Sequence, residues 1–174
     1  GLPVASGGAK FLQLQEDGLP IVQFGDIAFG NADIFLRLDA TMQSVESIRG
    51  GSASTLTSNA PGGIINIISK TGHQESGSVA TTFGLDYDSL RTDFEYGGEL
   101  TDSMFFHIGG FLRQGDGPRD AGYTANKGGQ IKANLTKEFD NGYVRLYYKH
   151  LDDKAISYLP MPMYSDGSSL PGFD

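Results

Sequence analysis

Several short stretches of this sequence carry residue types that enzymes and metal sites use. Ser69-Lys70-Thr71-Gly72 contains the Lys-Thr-Gly triplet of penicillin-binding enzymes, but that chemistry also needs a Ser-x-x-Lys nucleophile and a Ser-Asp-Asn partner, and neither is present. Gly50-Gly51-Ser52 lacks the Gly-Lys-Ser/Thr that cradles phosphates, so a turn accounts for it. His73, His107 and His150 lie on three separate segments without His-x-x-x-His spacing, and a metal site would require them to converge in the tertiary fold. The row Asp93, Glu95, Glu99 and the pair Asp152-Asp153 could supply acid–base chemistry, although an acidic sheet face is the simpler account. Asn134-Leu135-Thr136 matches a glycosylation sequon by chance. The expectation is a chain that is not an enzyme and has no metal and no cofactor.

Composition narrows the class. With 25 glycines in 174 residues, Gly usage is roughly double the average, yet no strict period suggests collagen. An apolar fraction of 39% is too high for a disordered chain. Fifteen of the nineteen Phe and Tyr residues follow residue 75, so an aliphatic, small-residue half precedes an aromatic one. A net charge of −8 argues against a nucleic-acid partner. Absence of cysteine excludes disulfide scaffolds and thiolate metal sites. No run approaches 18 apolar residues, which excludes a transmembrane helix but not a barrel, whose strands alternate. The chain starts at Gly1 without an initiator Met or a signal peptide, as expected of an internal piece of a longer protein.

The elements that must position these residues are read from periodicity. Val45 to Ser54 and Asn59 to Lys70 predict strand, turn, strand, with Ile64-Ile65-Asn66-Ile67-Ile68 as a buried strand with one polar contact. Phe11 to Val22, broken by Asp17-Gly18, predicts a hairpin. Residues 24–33 predict a loop, and 34–42 fit either a strand or a short helix. From Gly77 onward apolar and polar residues alternate. Val79, Thr81 and Phe83 share a face, as do Phe94, Tyr96 and Leu100; then Phe106, Ile108 and Leu112; Ile131, Ala133 and Leu135; Val144, Leu146 and Tyr148. Five antiparallel strands follow, with turns at 86–89, 101–103 and Asp140-Asn141-Gly142, a long polar loop at 114–129, and a loop-like tail from Tyr158. Short turns alternating with long loops are a barrel habit, and the short link at 86–89 blurs that rule.

The stretch from Val45 to Lys70 closely resembles the end of the plug domain of TonB-dependent outer-membrane receptors. There a Val-Glu-x-Ile…Arg-Gly segment, a small-residue turn and a Gly-Gly-x-Ile-Asn-Ile-Ile strand precede the barrel. Residues 77–151 resemble the first five barrel strands of the same family, with 117–123 and 128–134 similar to a proteobacterial branch with large outer loops. The resemblance implies a mainly β chain. A plug-domain α+β piece (residues 1–75, with a short helix near 39–43) would be followed by about five antiparallel strands (76–174) of an incomplete transmembrane β-barrel. The family closes about 22 strands around its plug. It also implies residence in the bacterial outer membrane and energy-coupled uptake of a small nutrient ligand. The ligand would be a carbohydrate in preference to an iron–siderophore. Partners would be membrane lipid and the TonB–ExbB–ExbD complex, which acts on a plug segment expected to be missing from this chain.

Site residues follow from the same resemblance. Glu46 and Arg49, charged positions in an apolar plug strand, would pair with residues of opposite sign on the barrel wall, or else in a local strand-pair salt bridge. Arg119, Asp120 and Tyr123 in the long loop, Tyr158 and Tyr164 in the tail, and Asp26, Phe29, Asn31 and Asp33 in the plug loop would face the ligand. Two alternatives compete with this reading. A soluble β-rich carbohydrate-binding module predicts that a second sheet covers the Phe94/Tyr96/Leu100 face. An enzyme using the carboxylate row predicts hydrolysis that is lost in Glu95→Gln.

Overall fold

The computed structural model describes residues 12–21, 35–55, 57, 60–117, 121–156 and 163–168. Two sheets form. The first contains β1 (Leu12–Glu16), β2 (Leu19–Pro20), β3 (Met42–Arg49) and β4 (Gly63–Ser69) in the order β2-β1-β4-β3. β1 and β2 make the expected hairpin. Asp17 (φ 53°) and Gly18 (φ 82°) both take the left-handed conformation that a two-residue primed turn requires. β4 lies between a parallel neighbour, β1, and an antiparallel one, β3. That central place explains its composition. Ile64 and Ile67 are buried, while the amide of Asn66 accepts from Gly18 N at 3.0 Å and donates to Glu46 Oε2 at 3.2 Å. The link from β3 to β4 opens with a 3-10 turn over Gly50–Thr55.

The short helix expected near 39–43 does not form. Asp39 Oδ1 accepts from Thr41 N (2.9 Å) and Thr41 Oγ1 (2.5 Å), closing a side-chain turn, and β3 already begins at Met42, paired with Ser69. Ladder pairing with β4 outweighs the local helical pattern.

The second sheet is β5 (Ser76–Phe83), β6 (Ser89–Thr101), β7 (Met104–Gly115), β8 (Asn126–Phe139) and β9 (Gly142–Lys154), antiparallel and in chain order. The polar loop expected over 114–129 shrinks to 116–125, because Gln114, Gly128 and Gly129 join the ladder. A ladder needs backbone groups rather than apolar side chains, which is why composition hid these strand ends. The connections 84–88 and 116–125 lie at one end of the sheet; the two-residue turns 102–103 and 140–141 lie at the other. The link that blurred the alternation thus falls at the long-loop end.

The chain passes from one sheet to the other at Gly72 (φ 81°), where a Cβ would stand 2.0 Å from Phe106 O. The first sheet then packs on the polar side of the second. Glu95, His107, Phe111, Gln130, Lys132, Asn134 and Thr136 are all buried there.

Candidate functional site

The contact between the sheets is largely polar, and alternation along β6–β9 builds it. Every second residue of these strands turns toward the first sheet, so charges spaced by two along the chain form a lattice facing it. Near the long-loop end, Asp153 accepts from Arg113 Nε (2.6 Å), Arg113 Nη2 (2.7 Å) and Arg37 Nε of the first sheet's approach segment (2.8 Å). Gln130 Nε2 donates to Asp39 Oδ2 (2.6 Å) and Arg37 O (3.1 Å). Arg91 grips Asp93 through two bonds, donates to Leu38 O at 2.7 Å and lies 4.1 Å over the Phe111 ring.

At mid-height Glu16, at the end of β1, sits between two ammonium groups of the other sheet. Lys132 Nζ faces one carboxylate oxygen and Lys149 Nζ bonds the other at 2.6 Å; Lys149 also donates to Phe35 O at 2.9 Å. Burial raises the Glu16 carboxyl, but hydrogen bonds and charge from Lys132 and Lys149 outweigh it and hold the group below its ordinary value of 4.5. Beside it Asp17 accepts from Ser69 N (2.8 Å) and Ser69 Oγ (2.7 Å), tying the β1–β2 turn to β4.

On the same row of the ladder as Lys132, Glu95 is surrounded by Lys70 Nζ (3.1 Å), His107 Nε2 (2.7 Å), Ser76 Oγ (2.9 Å) and Ser78 Oγ (3.2 Å). Asn134 Nδ2 donates to Lys70 O at 2.7 Å, and His73 Nε2 pairs with Glu138 at 2.9 Å.

The other side of the second sheet is apolar and uncovered. Val79 is 76% exposed, Leu146 65%, Tyr148 60%, Leu112 60%, Leu100 55% and Tyr96 54%. A water-soluble sheet buries this face and wets the other; a barrel wall in lipid does the reverse. The second sheet that a soluble module places over Tyr96 and Leu100 lies instead against the opposite face.

Comparison with known structures agrees. The chain matches the pyoverdine outer-membrane receptor FpvA of Pseudomonas aeruginosa PAO1, bound to pyoverdine, at 22% identity and a TM-score of 0.62, covering 78% of this chain and 20% of that one. It matches the siderophore receptor PirA of Acinetobacter baumannii at 22% identity and a TM-score of 0.56, covering 83% and 24%. PirA of Pseudomonas aeruginosa follows at 21% identity and 0.53, covering 74% and 23%. Its fold is that of the TonB-dependent outer-membrane receptors. No family model and no curated protein matches the sequence. The chain spans about a quarter of the length of the solved receptors it matches.

The seam between the two sheets holds residues that sequence reasoning did not select, Glu16, Asp39, Gln130, Lys132 and Lys149, together with Lys70 and Asp153, which it weighed only for catalysis. Alternation marked Lys132 and Lys149 as facing away from the apolar side, but their partner Glu16 is more than a hundred residues away in sequence. The acidic sheet face expected from Asp93, Glu95 and Glu99 is charge-paired: Asp93 and Glu95 have basic partners, and Glu99 is exposed. Asp152 and Asp153 point to opposite faces, so they form no acid–base pair.

The selected residues fare differently. Glu46 and Arg49 are both exposed, because β3 is the edge strand of the first sheet. Neither enters a salt bridge among the described residues. Tyr123 (63% exposed) and Tyr164 (51%) stand in solvent, and no ring contact joins them. Asp26, Phe29, Asn31, Asp33, Arg119, Asp120 and Tyr158 lie outside the described residues.

Proposed function

We propose that this chain is the later part of a plug (residues 1–75) and the first wall strands (76–174) of a receptor that imports a small nutrient across the bacterial outer membrane. Energy comes from the TonB–ExbB–ExbD complex acting on the plug. The observation that carries the reading is the inversion of the second sheet: apolar side outward, polar side bonded to the plug. A polar seam suits a stopper that has to shift, since each protein–protein hydrogen bond can be exchanged for one to water at a net cost of only about 1 kcal/mol.

For the ligand, the carbohydrate preference drawn from sequence finds no support among the solved receptors of this fold, which are named for siderophores. An iron–siderophore complex is therefore the ligand class. Arg119, Asp120, Tyr123, Tyr158 and Tyr164 on the outer side, with Asp26, Phe29, Asn31 and Asp33 of the plug, would meet it. Glu46 and Arg49 on the exposed edge of β3 would pair with wall strands beyond these residues.

Uptake by cells carrying the full receptor tests this. Radio-iron delivered as a siderophore complex should accumulate, and accumulation should stop when the proton gradient is collapsed. Accumulation of a labelled oligosaccharide instead would overturn the ligand class. Recovery of native protein from the soluble fraction without detergent would overturn the receptor reading itself.

A further inference from the structure

Between the β1–β2 hairpin and β9 the two sheets part around a cleft of about 470 Å³. Its walls are mostly apolar, with Leu19, Ile21 and Phe35 on the side of the first sheet and Tyr147 and Leu151 on β9. That volume lies in the range of small-molecule sites, about 300–1,000 Å³, and far exceeds the roughly 30 Å³ that one water fills. Two further residues along the cleft carry bare acceptors. Asn134 is 8% exposed; its Nδ2 donates to Lys70 O at 2.7 Å, while its buried Oδ1 meets no donor among the described residues. His107 is 2% exposed, and its Nε2 lies 2.7 Å from Glu95 Oε2. An ionised carboxylate only accepts, so Nε2 carries the proton of the neutral imidazole and Nδ1 is left with a lone pair. The Cδ2 edge of the ring is turned toward β6, since a Cβ on Gly97 would stand 2.5 Å from it; the Nδ1 edge therefore looks toward β8. There His107 and Asn134 are direct cross-strand partners, whose side chains leave the sheet about 5 Å apart. Native structures rarely leave one buried acceptor bare, and here two stand side by side.

We propose that this cleft is a binding site for a small neutral aromatic amine. Its two N–H groups serve Asn134 Oδ1 and His107 Nδ1, and its ring packs among Phe35, Tyr147 and Leu151. A hydroxyl has a single donor and leaves one acceptor bare. A cation finds no free carboxylate, because Glu16 is already paired with Lys132 and Lys149, and Asp17 is bonded to Ser69. A molecule seated there touches both sheets, so it binds only while they are docked and stabilises their docking by mass action. The site itself requires only the two docked sheets; that its ligand holds a plug against a wall rests on the receptor reading.

The test uses the full receptor in detergent, with aniline and toluene as probes of equal shape, one with two donors and one with none. Affinities are read from the rise of the unfolding midpoint with ligand concentration, for wild type and Asn134→Leu in the same detergent, so that partition into micelles cancels. The preference for aniline over toluene should be about tenfold greater in the wild type, as one lost hydrogen bond predicts. An equal preference in the two proteins overturns the site, as does a wild type that binds neither probe. Crystals of the wild-type receptor soaked in para-bromoaniline need no variant: the bromine should lie in the cleft between Phe35 and Tyr147, and bromine found only elsewhere overturns the site. None of these outcomes touches the receptor reading, which falls instead if the native protein needs no detergent.

Discussion

At the residue scale, Glu16 concentrates the electrostatics of the seam: one carboxylate from the first sheet serves two ammonium groups of the second. Glu16→Gln removes the negative charge and leaves Lys132 and Lys149 facing each other in a partly buried site. The expected cost is about 1–2 kcal/mol, less than for a fully buried pair because solvent reaches the site. Chemical denaturation of the receptor should show it, and pairing the change with Lys132→Gln should recover part of the loss. Because the folded carboxyl lies below its ordinary value of 4.5, its contribution is complete above that pH and fades as pH falls below it. Melting curves between pH 7 and pH 3 should therefore converge for wild type and Glu16→Gln at the acid end. Gly109 makes the complementary steric point. A Cβ there would lie 2.5 Å from Phe94 O and 2.8 Å from the Thr41 Cγ2 methyl just ahead of β3. Gly109→Ala should cost about 1–3 kcal/mol, and adding Thr41→Ser should restore only part, since the backbone clash remains.

At the element scale, the passage from β4 to β5 is a constraint on the whole arrangement. Gly72 combines a left-handed backbone with direct contact against β7, so Gly72→Ala meets both backbone strain and a 2.0 Å clash. The expected loss exceeds about 3 kcal/mol. It should appear as disappearance of the folded, heat-modifiable band from outer membranes, whereas Gly51→Ala, with no left-handed backbone and open space around its Cβ position, should keep that band. The strand faces carry a second expectation. Leu146, opposite Leu135 in the middle of the outward band, should tolerate Lys with little change if it faced water. In lipid, Leu146→Lys should cost about 2–4 kcal/mol, measured by reversible unfolding in phospholipid vesicles.

At the scale of the whole molecule, the five-stranded sheet is open, with β5 and β9 at its edges and an apolar, exposed outward face. Much of this was legible in the sequence. Period-two alternation after Gly77 drew all five strands, Asp17-Gly18 and Asp140-Asn141-Gly142 fixed two turns, and the Ile64–Ile68 run located the buried strand with its single amide. Local composition determines those features, because side-chain period and turn conformation depend on neighbours in the chain. Three things were beyond it. Alternation is the same whether the apolar side faces outward or a core, so only the position of the first sheet showed which face of the second is covered. The helix near 39–43 gave way because pairing between Met42 and Ser69 joins residues distant in sequence. The seam between Glu16, Lys132 and Lys149 is likewise set by which strands come to face each other, and the exposure of Glu46 and Arg49 by β3 standing at a sheet edge. Sequence alone determined the strands and their two faces; the tertiary structure decided what each face meets, because long-range register and sheet-on-sheet docking leave no local trace.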